Sequence, residues 1–583
     1  MPATVTRPDR STESERQRPD QAHAGDVHNH PRKANDWEGV ASGEQSHRRN
    51  QPAGDRRPKE VMLSAQQRGR YLVVAVFIRC EARGRNDQPD GEPNDDGERD
   101  GPDGYGAIVY LSVPMPSNSL TMRSPGLVVA LAILLAMALV ASPLLVVIGL
   151  ATPFLIARLT RGLPPAERSF LIGLLTAAVA LRAVLVAVQM IRGIPLLNDM
   201  SIGALAGDES YYLSRAIRVR DLLFGYGTTT YDFFVATDEY GKTSYLSLLT
   251  WLQIFFGPTP YSMKIVNGVL QVGGAALLFR MARASFGVLP AFLGLAITLF
   301  LPSLVFMSVS LLKESAYFAL SSVFVVCGWN LVTAVRERRW GVTVTLAVTA
   351  CVSLWLLDSV RRGALGLLGG GLVLGLVLWY VGQSRRLAAG AIAVAAIGLI
   401  AVGTVPAVHE RFVTAVEQTA KIQAGHVFTV GHAYKLMDEG FYRNPQTGSA
   451  WDLRLSDSEA ARFLARAAIS FFVTPWPWQM RSRSELAFMP EHMVWYLLIA
   501  ALPFGIVAGW RVNPLATALF CGFAIPTAAV IAVTNGNVGT LLRLRGLVTP
   551  YLAWMSALGL CVIGEWLSSL QQTRTMMKER PAL

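Results

Sequence analysis

The feature that most constrains this chain is a succession of long apolar runs from about residue 126 to residue 566. Each is close to the ~20 residues that cross a bilayer as a helix. The chain is therefore read as an all-α polytopic membrane protein with about 12 transmembrane helices, within a range of roughly 11 to 13. The expected spans are 126–141, 143–157, 170–191, 262–282, 287–306, 316–334, 341–357, 363–381, 388–407, 493–510, 514–533 and 546–566. The first two form one run broken by Pro143, either a tight hairpin or one long kinked helix.

Composition matters here because it divides the chain. Of 583 residues, 52% are hydrophobic and 16% charged, but residues 1–120 are polar and rich in Asp, Arg, Pro, Gly and Asn. Such a segment cannot bury a core and is expected to be disordered. It has no apolar core near Met1, so it is not a signal peptide, and its run Tyr71 to Ile78 is too brief to span. Met115 and Met122 each precede the first span, and the expectation is that the upstream segment is dispensable or not translated. Residues 126–566 form the membrane domain, and 567–583 are expected to be a cytoplasmic basic tail. The net charge of +12 does not argue for nucleic acid, because short cytoplasmic loops collect Lys and Arg for topological reasons. Five cysteines, Cys80, Cys327, Cys351, Cys521 and Cys561, follow no metal spacing. Four sit in apolar runs and read as small buried hydrophobes.

Orientation follows from the loops. Arg158, Arg161 and Arg168, then Arg280 and Arg283, then Arg336, Arg338 and Arg339, then Arg385 and Arg386, then Arg511, and finally Arg574 and Lys578 all fall on one side of the span list. That side is read as the cytoplasm. Three arginine pairs break the pattern: Arg361 with Arg362, Arg481 with Arg483, and Arg543 with Arg545. They share the opposite side with Asp208 and Glu209. Acids and arginines gathered at one membrane face suit a phosphate-bearing, lipid-linked substrate, since the planar guanidinium makes paired bonds to phosphate.

The same side carries two large loops, 193–261 and 408–492. Tyr212, Ala216, Val219 and Leu223 recur at helical spacing, and Ser456-Asp-Ser-Glu459 reads as a capping box ahead of Phe463, Leu464, Ala467, Ala468 and Phe471. Both segments are expected to be amphipathic helices in the membrane interface. Trp476 and Trp478, between prolines, suit the aromatic belt, and the short apolar stretch 244–257 is placed as interfacial or re-entrant. No internal repeat is found.

Asp208 and Glu209 stand in Gly207-Asp-Glu-Ser-Tyr-Tyr212. A carboxylate fixed just outside the bilayer can take a proton from an acceptor hydroxyl; equally, Asp208 can be a helix cap with Glu209 in the first turn. Lys313 and Glu314 interrupt the apolar run Leu304 to Leu320, where charges are costly unless paired or facing water. They form either a structural ion pair or a site in which Lys313 meets a phosphate and Glu314 orients it. Arg361 and Arg362 follow Asp358 and either pair with it or contact substrate. Arg543 and Arg545 follow Asn535-Gly-Asn-Val-Gly-Thr540 and either hold a substrate phosphate or anchor to lipid headgroups. His426 and His432 read as ordinary loop histidines.

The order of these features resembles the GT-C superfamily of integral-membrane glycosyltransferases, and most of all the bacterial family 39 relatives of protein mannosyltransferases and aminoarabinose transferases. The resemblance rests on Gly207-Asp-Glu-Ser-Tyr-Tyr212, on Leu246 to Gly257 followed by Lys264-Ile-Val-Asn267, on Arg280 to Gly287, on Leu301-Pro-Ser303 and on Ser310-Leu-Leu-Lys-Glu314. It is weaker over 470–560, where Pro475-Trp-Pro-Trp478 and Gly539-Thr-Leu-Leu-Arg-Leu-Arg545 are similar to related proteins of envelope polysaccharide synthesis. The resemblance implies a GT-C-like fold in the bacterial plasma membrane, with an active site on the extracytoplasmic face. It implies a polyprenyl-phosphate-linked sugar as donor, an unspecified acceptor, Asp208 as general base and inversion at the anomeric centre. Arg543, Arg545 and Lys313 would hold the departing phosphate; Glu209 is taken as catalytic with Asp208, and Glu314, Arg361, Arg362, Arg481 and Arg483 as possible substrate contacts. It implies no cofactor and no metal. Two departures stand out: a second acidic motif in the first loop has only Asp232, Asp238 and Glu239 as candidates, and the large loop 408–492 is internal where many relatives carry a C-terminal soluble domain.

Two other readings compete. A polysaccharide polymerase of the O-antigen type also has many spans, a large outer loop and outer arginines, but uses diphosphate-linked donors. A lipid-linked glycan transporter or flippase predicts mid-span charges and repeated halves, whereas here the charges are read as clustering near span ends and the halves are not alike.

Overall fold

The structure is a computed structural model. It describes residues 71–74, 111–114, 142–192, 208–227, 229–238, 242–427, 453–480 and 483–578, with a few isolated positions between them. The chain divides into two compact units, Met1–Thr121 and Met122–Leu583. In the first, the described residues form two short strands, β1 (Tyr71–Val74) and β2 (Leu111–Pro114), paired antiparallel with Tyr71 opposite Pro114.

The second unit is helical throughout its described elements. In chain order these are α1 (Pro143–Leu159), α2 (Pro165–Arg192), α3 (Asp208–Leu223), α4 (Thr230–Thr237), α5 (Ser244–Phe256), α6 (Pro260–Phe286), α7 (Val288–Phe300), α8 (Pro302–Ser308) and α9 (Glu314–Arg336). There follow α10 (Trp340–Val360), α11 (Gly370–Val381, entered through a π turn at Leu365–Gly369), α12 (Arg385–Thr404), α13 (Pro406–Val427) and α14 (Asp457–Val473). The last four are α15 (Arg483–Val512), α16 (Pro514–Thr534), α17 (Val538–Arg545) and α18 (Thr549–Lys578).

Among the described residues, eight helices are long and apolar enough to cross a bilayer, and the bent pair α7–α8 makes a ninth if counted as one span. Several long apolar helices make this an all-α polytopic membrane protein. The sequence differs from the structure at the breaks. Ser142 is extended and its hydroxyl accepts from Leu145 N, so Pro143 opens α1 rather than kinking a longer helix. The first expected span, 126–141, lies almost wholly outside the described residues. Leu301 precedes a proline and is pushed out of the helical region, so the expected span 287–306 bends by 56°.

The helices sort their ends. Arg280 donates to the carbonyls of Leu159 and Arg161, and Arg283 meets Glu167 at 2.5 Å, closing the α1–α2 loop onto the end of α6. Asn267 bonds the backbone just ahead of α9, and a Cβ on Gly274 would lie 3.1 Å from Ala319, so α6 and α9 run parallel. The Arg336 guanidinium lies 4.7 Å over Trp379, and Gly382 lies against Trp510. The ends of α6, α9, α11 and α15, with their arginines, therefore share one end of the bundle. The starts of α6 and α9 lie at the other.

Candidate active site

The site begins with two adjacent acids that a helix must point in different directions, about 100° apart. Asp208 and Glu209 open α3. The Asp208 carboxylate is 55% exposed, whereas Glu209 is 2% exposed and meets Lys264 Nζ at 2.5 Å. Lys264 lies one turn into α6, is itself fully buried, and donates to Gln189 Oε1 of α2 at 2.7 Å. Asn267, three residues on, donates to Tyr245 OH at 2.8 Å and to the carbonyls of Ser310 and Leu312 at 2.6 and 3.0 Å. This buried network ties α2, α3, α5 and α6 to the segment that carries Lys313 and Glu314.

The basic partner comes from α17. The Asn537 side chain caps it, accepting from Thr540 N at 3.2 Å, and Arg543 falls in its last turn. Arg543 Nη1 donates to Asp208 Oδ2, and its Nε lies 3.3 Å from Glu314 Oε1. Three charges from distant parts of the chain thus meet at one point. Burial lowers the Arg543 guanidinium's pKa, but the Glu314 and Asp208 carboxylates outweigh it and hold the group above its ordinary range.

Lys313 lies beside Glu314 at the cap of α9. Burial first, and then the Arg361 guanidinium, hold its ammonium below the ordinary lysine range. Arg361 ends α10 in an extended conformation, and its charge is also felt at Tyr212. The Tyr212 phenol, one turn after Asp208, is pushed up to about 12 by burial and then by Glu314 and Asp208. Asp358 accepts from the backbone of Gly363 and Leu365 at 3.0 Å each, which turns the chain where Gly363 has φ of +88°. The site therefore holds Asp208, Glu314, Arg543 and Tyr212, with Lys313 and Arg361 within electrostatic reach.

Other candidates lie elsewhere. Arg545 is 3% exposed, donates to Ser470 O at the end of α14, and lies 5.6 Å over Phe471 and 5.1 Å over Trp495. Arg362 is exposed beyond the end of α10. Arg481 and the side chain of Arg483 lie outside the described residues, as does His432. His426 Nδ1 is 3.3 Å from Asn535 Oδ1, and Gln423 Nε2 donates to Asn535 O, so α13 braces the turn leading into α17. Sequence reasoning gave no role to Lys264 or Asn267 and passed over Gln189. The signal available was polarity inside apolar runs. A comparison with known protein families, with curated proteins and with solved structures finds no match.

Proposed function

We propose that the protein is a membrane glycosyltransferase that moves a sugar from a polyprenyl-phosphate donor to an envelope glycan, lipid or protein acceptor. The observation that carries this reading is the meeting of Asp208, Arg543 and Glu314, with Lys313 and Arg361 beside them. It offers a partly exposed base next to cations suited to a phosphate. By the positive-inside rule the arginine-rich end is cytoplasmic, so this site faces out. The bent pair α7–α8, the shorter apolar helices α1 and Leu365–Val381, and residues 126–141 would bring the spans to about 12.

In this reading the donor phosphate takes the Arg543 guanidinium from Asp208. The freed Asp208 carboxylate accepts the proton of the acceptor hydroxyl as that oxygen bonds to the anomeric carbon. The bond from that carbon to the phosphate oxygen breaks, the configuration inverts, and polyprenyl phosphate leaves. Arg543, Lys313 and Arg361 stabilise the charge developing on it. Arg545 is assigned to holding α17 against α14 and α15, and Glu209, through Lys264, to fixing the start of α3.

The test is sugar transfer by the purified protein in lipid, using labelled polyprenyl-phosphate sugars. Asp208→Asn should lower turnover by about 10²- to 10⁴-fold, the usual worth of a general base, while leaving thermal unfolding unchanged. Equal turnover in both proteins would remove Asp208 as the base. Turnover with diphosphate-linked oligosaccharides alone would move the chemistry to a polymerase.

A further inference from the structure

The break between α7 and α8 meets two charged side chains from other spans. Pro302 has no N–H and disfavours a helical Leu301, so the chain bends there. A continuous helix would pair Ser303 N with Leu299 O. Here Leu299 O instead accepts from Arg182 Nη2 of α2 at 3.0 Å, and Ser303 N donates to Glu491 Oε2 of α15 at 2.9 Å. Two backbone groups that lipid could not satisfy thus each receive a charged partner.

Arg182 does more than cap the break. It is 1% exposed, and its Nε donates to Ser308 Oγ at 2.8 Å while Nη1 donates to Ala178 O at 3.0 Å. Ser308 in turn donates to Val305 O at 2.7 Å, so the guanidinium grips both sides of α8. Seven residues along α2, on the same face, Gln189 Nε2 reaches toward Val309 O at 3.5 Å and receives Lys264. Asn267 holds the carbonyls of Ser310 and Leu312. Leu299, Ser303, Ser308, Val309, Ser310 and Leu312 are thus each bonded by a side chain of α2, α6 or α15, and the next residues are Lys313 and Glu314.

An arginine or glutamate inside a span is costly and marks a functional arrangement unless it is structural alone. A continuous helix through residue 303 would need neither charge. We infer that Arg182 and Glu491 are positioning residues that keep the α7–α8 span broken so that Lys313 and Glu314 are presented to Arg543 and Asp208. The consequence for catalysis rests on the transferase reading above; the positioning itself does not.

Backbone amide exchange on the full chain in lipid nanodiscs tests it, with Arg182→Leu, Glu491→Leu and Glu491→Gln. Leucine suits a bilayer span, so these variants keep the apolar surface. Arg182→Leu should speed exchange over 303–314 by about tenfold or more, the factor that follows from losing a hydrogen bond to a charged group. Glu491→Leu should do the same at Ser303, while Glu491→Gln, which keeps an acceptor, should stay within about twofold of the parent. Exchange in α16 should not change. Unaltered exchange over 303–314 in both leucine variants overturns the inference. So does a rise shared equally by all spans, or a Glu491→Gln that matches Glu491→Leu. Binding of a polyprenyl monophosphate is measured separately: the expected exchange pattern with no phosphate-lipid binding by the parent protein would sink the transferase reading and leave the positioning intact.

Discussion

At the scale of single residues, the site is a balance of opposite charges around Arg543. Asp208 and Glu314 share it, and Lys313 is the cation whose charge is easiest to lose. Burial and Arg361 lower its pKa, so the folded chain binds that proton less tightly than an unfolded one. The sign follows: as pH rises, Lys313 loses its charge before an ordinary lysine would, and affinity for a phosphate lipid falls with it. Lys313→Arg should keep the charge, since arginine does not titrate in this range, and should push the alkaline loss of donor affinity to higher pH. A binding titration from neutral to alkaline pH checks this; superimposable profiles would remove Lys313 from the phosphate site. Asp208, Lys313, Glu314, Arg361 and Arg543 were each legible in the sequence, because a charge against an apolar background stands out. Their mutual contacts were not, since no local pattern joins Asp208 to Arg543. Glu209 shows the limit most clearly. It reads as a twin of Asp208, yet helix geometry turns it inward onto Lys264.

At the scale of elements, what the sequence shows depends on how local the cause is. The capping box Ser456 to Glu459 and the apolar face after it are local, and α14 begins at Asp457 with Phe463, Ala467 and Phe471 buried. For α3 the face was only partly right: Ala216 is buried as expected and Tyr212 and Val219 are half-buried, but Leu223 is exposed, Leu213 is buried in its place, and Arg215 turns inward to Tyr211 OH and Asp238 O. A buried arginine partnered by a loop carbonyl leaves no periodic signature. The packing of α15 on α18 is equally silent in sequence. Gly505 and Gly559 face each other across it, and a Cβ on either would fall on the other helix's backbone. Gly559→Val should therefore cost roughly 1–3 kcal/mol of stability, the usual result of overpacking. Gly564 has open space beside it, and Gly564→Ala should be neutral or stabilising by about 0.5–1 kcal/mol, as for a helical glycine with room for a Cβ. Thermal unfolding in lipid compares the two; equal effects would mean that the α15–α18 approach is not tight.

At the scale of the whole molecule, two ends of one bundle carry different chemistry. One gathers Arg161, Arg280, Arg283, Arg336 and Arg511 around helix ends; the other gathers the Asp208 cluster, the buried Glu209–Lys264 pair and the helices α13 and α14 that brace α17. The alternation of helix directions that produces this sorting was legible, because it follows from counting spans and basic loops. It commits the protein to an orientation that can be checked without any substrate. A cysteine at Ser458, exposed at the start of α14, should react with a membrane-impermeant maleimide added outside intact cells, in a background where the native cysteines are replaced by serine or alanine. A cysteine at Arg338, exposed at the turn between α9 and α10, should react only after the membrane is opened. The two residues sit at opposite ends of the bundle, so their labelling must be reciprocal if the span list is right. Reversed labelling would put Asp208 and Arg543 in the cytoplasm, where soluble nucleotide-linked donors could reach them, and would remove the reason for a lipid-linked one. Labelling of both from outside would mean that a span between them does not cross, and α11, the shortest of the three apolar helices that separate them, is the element to probe next with the same reagent.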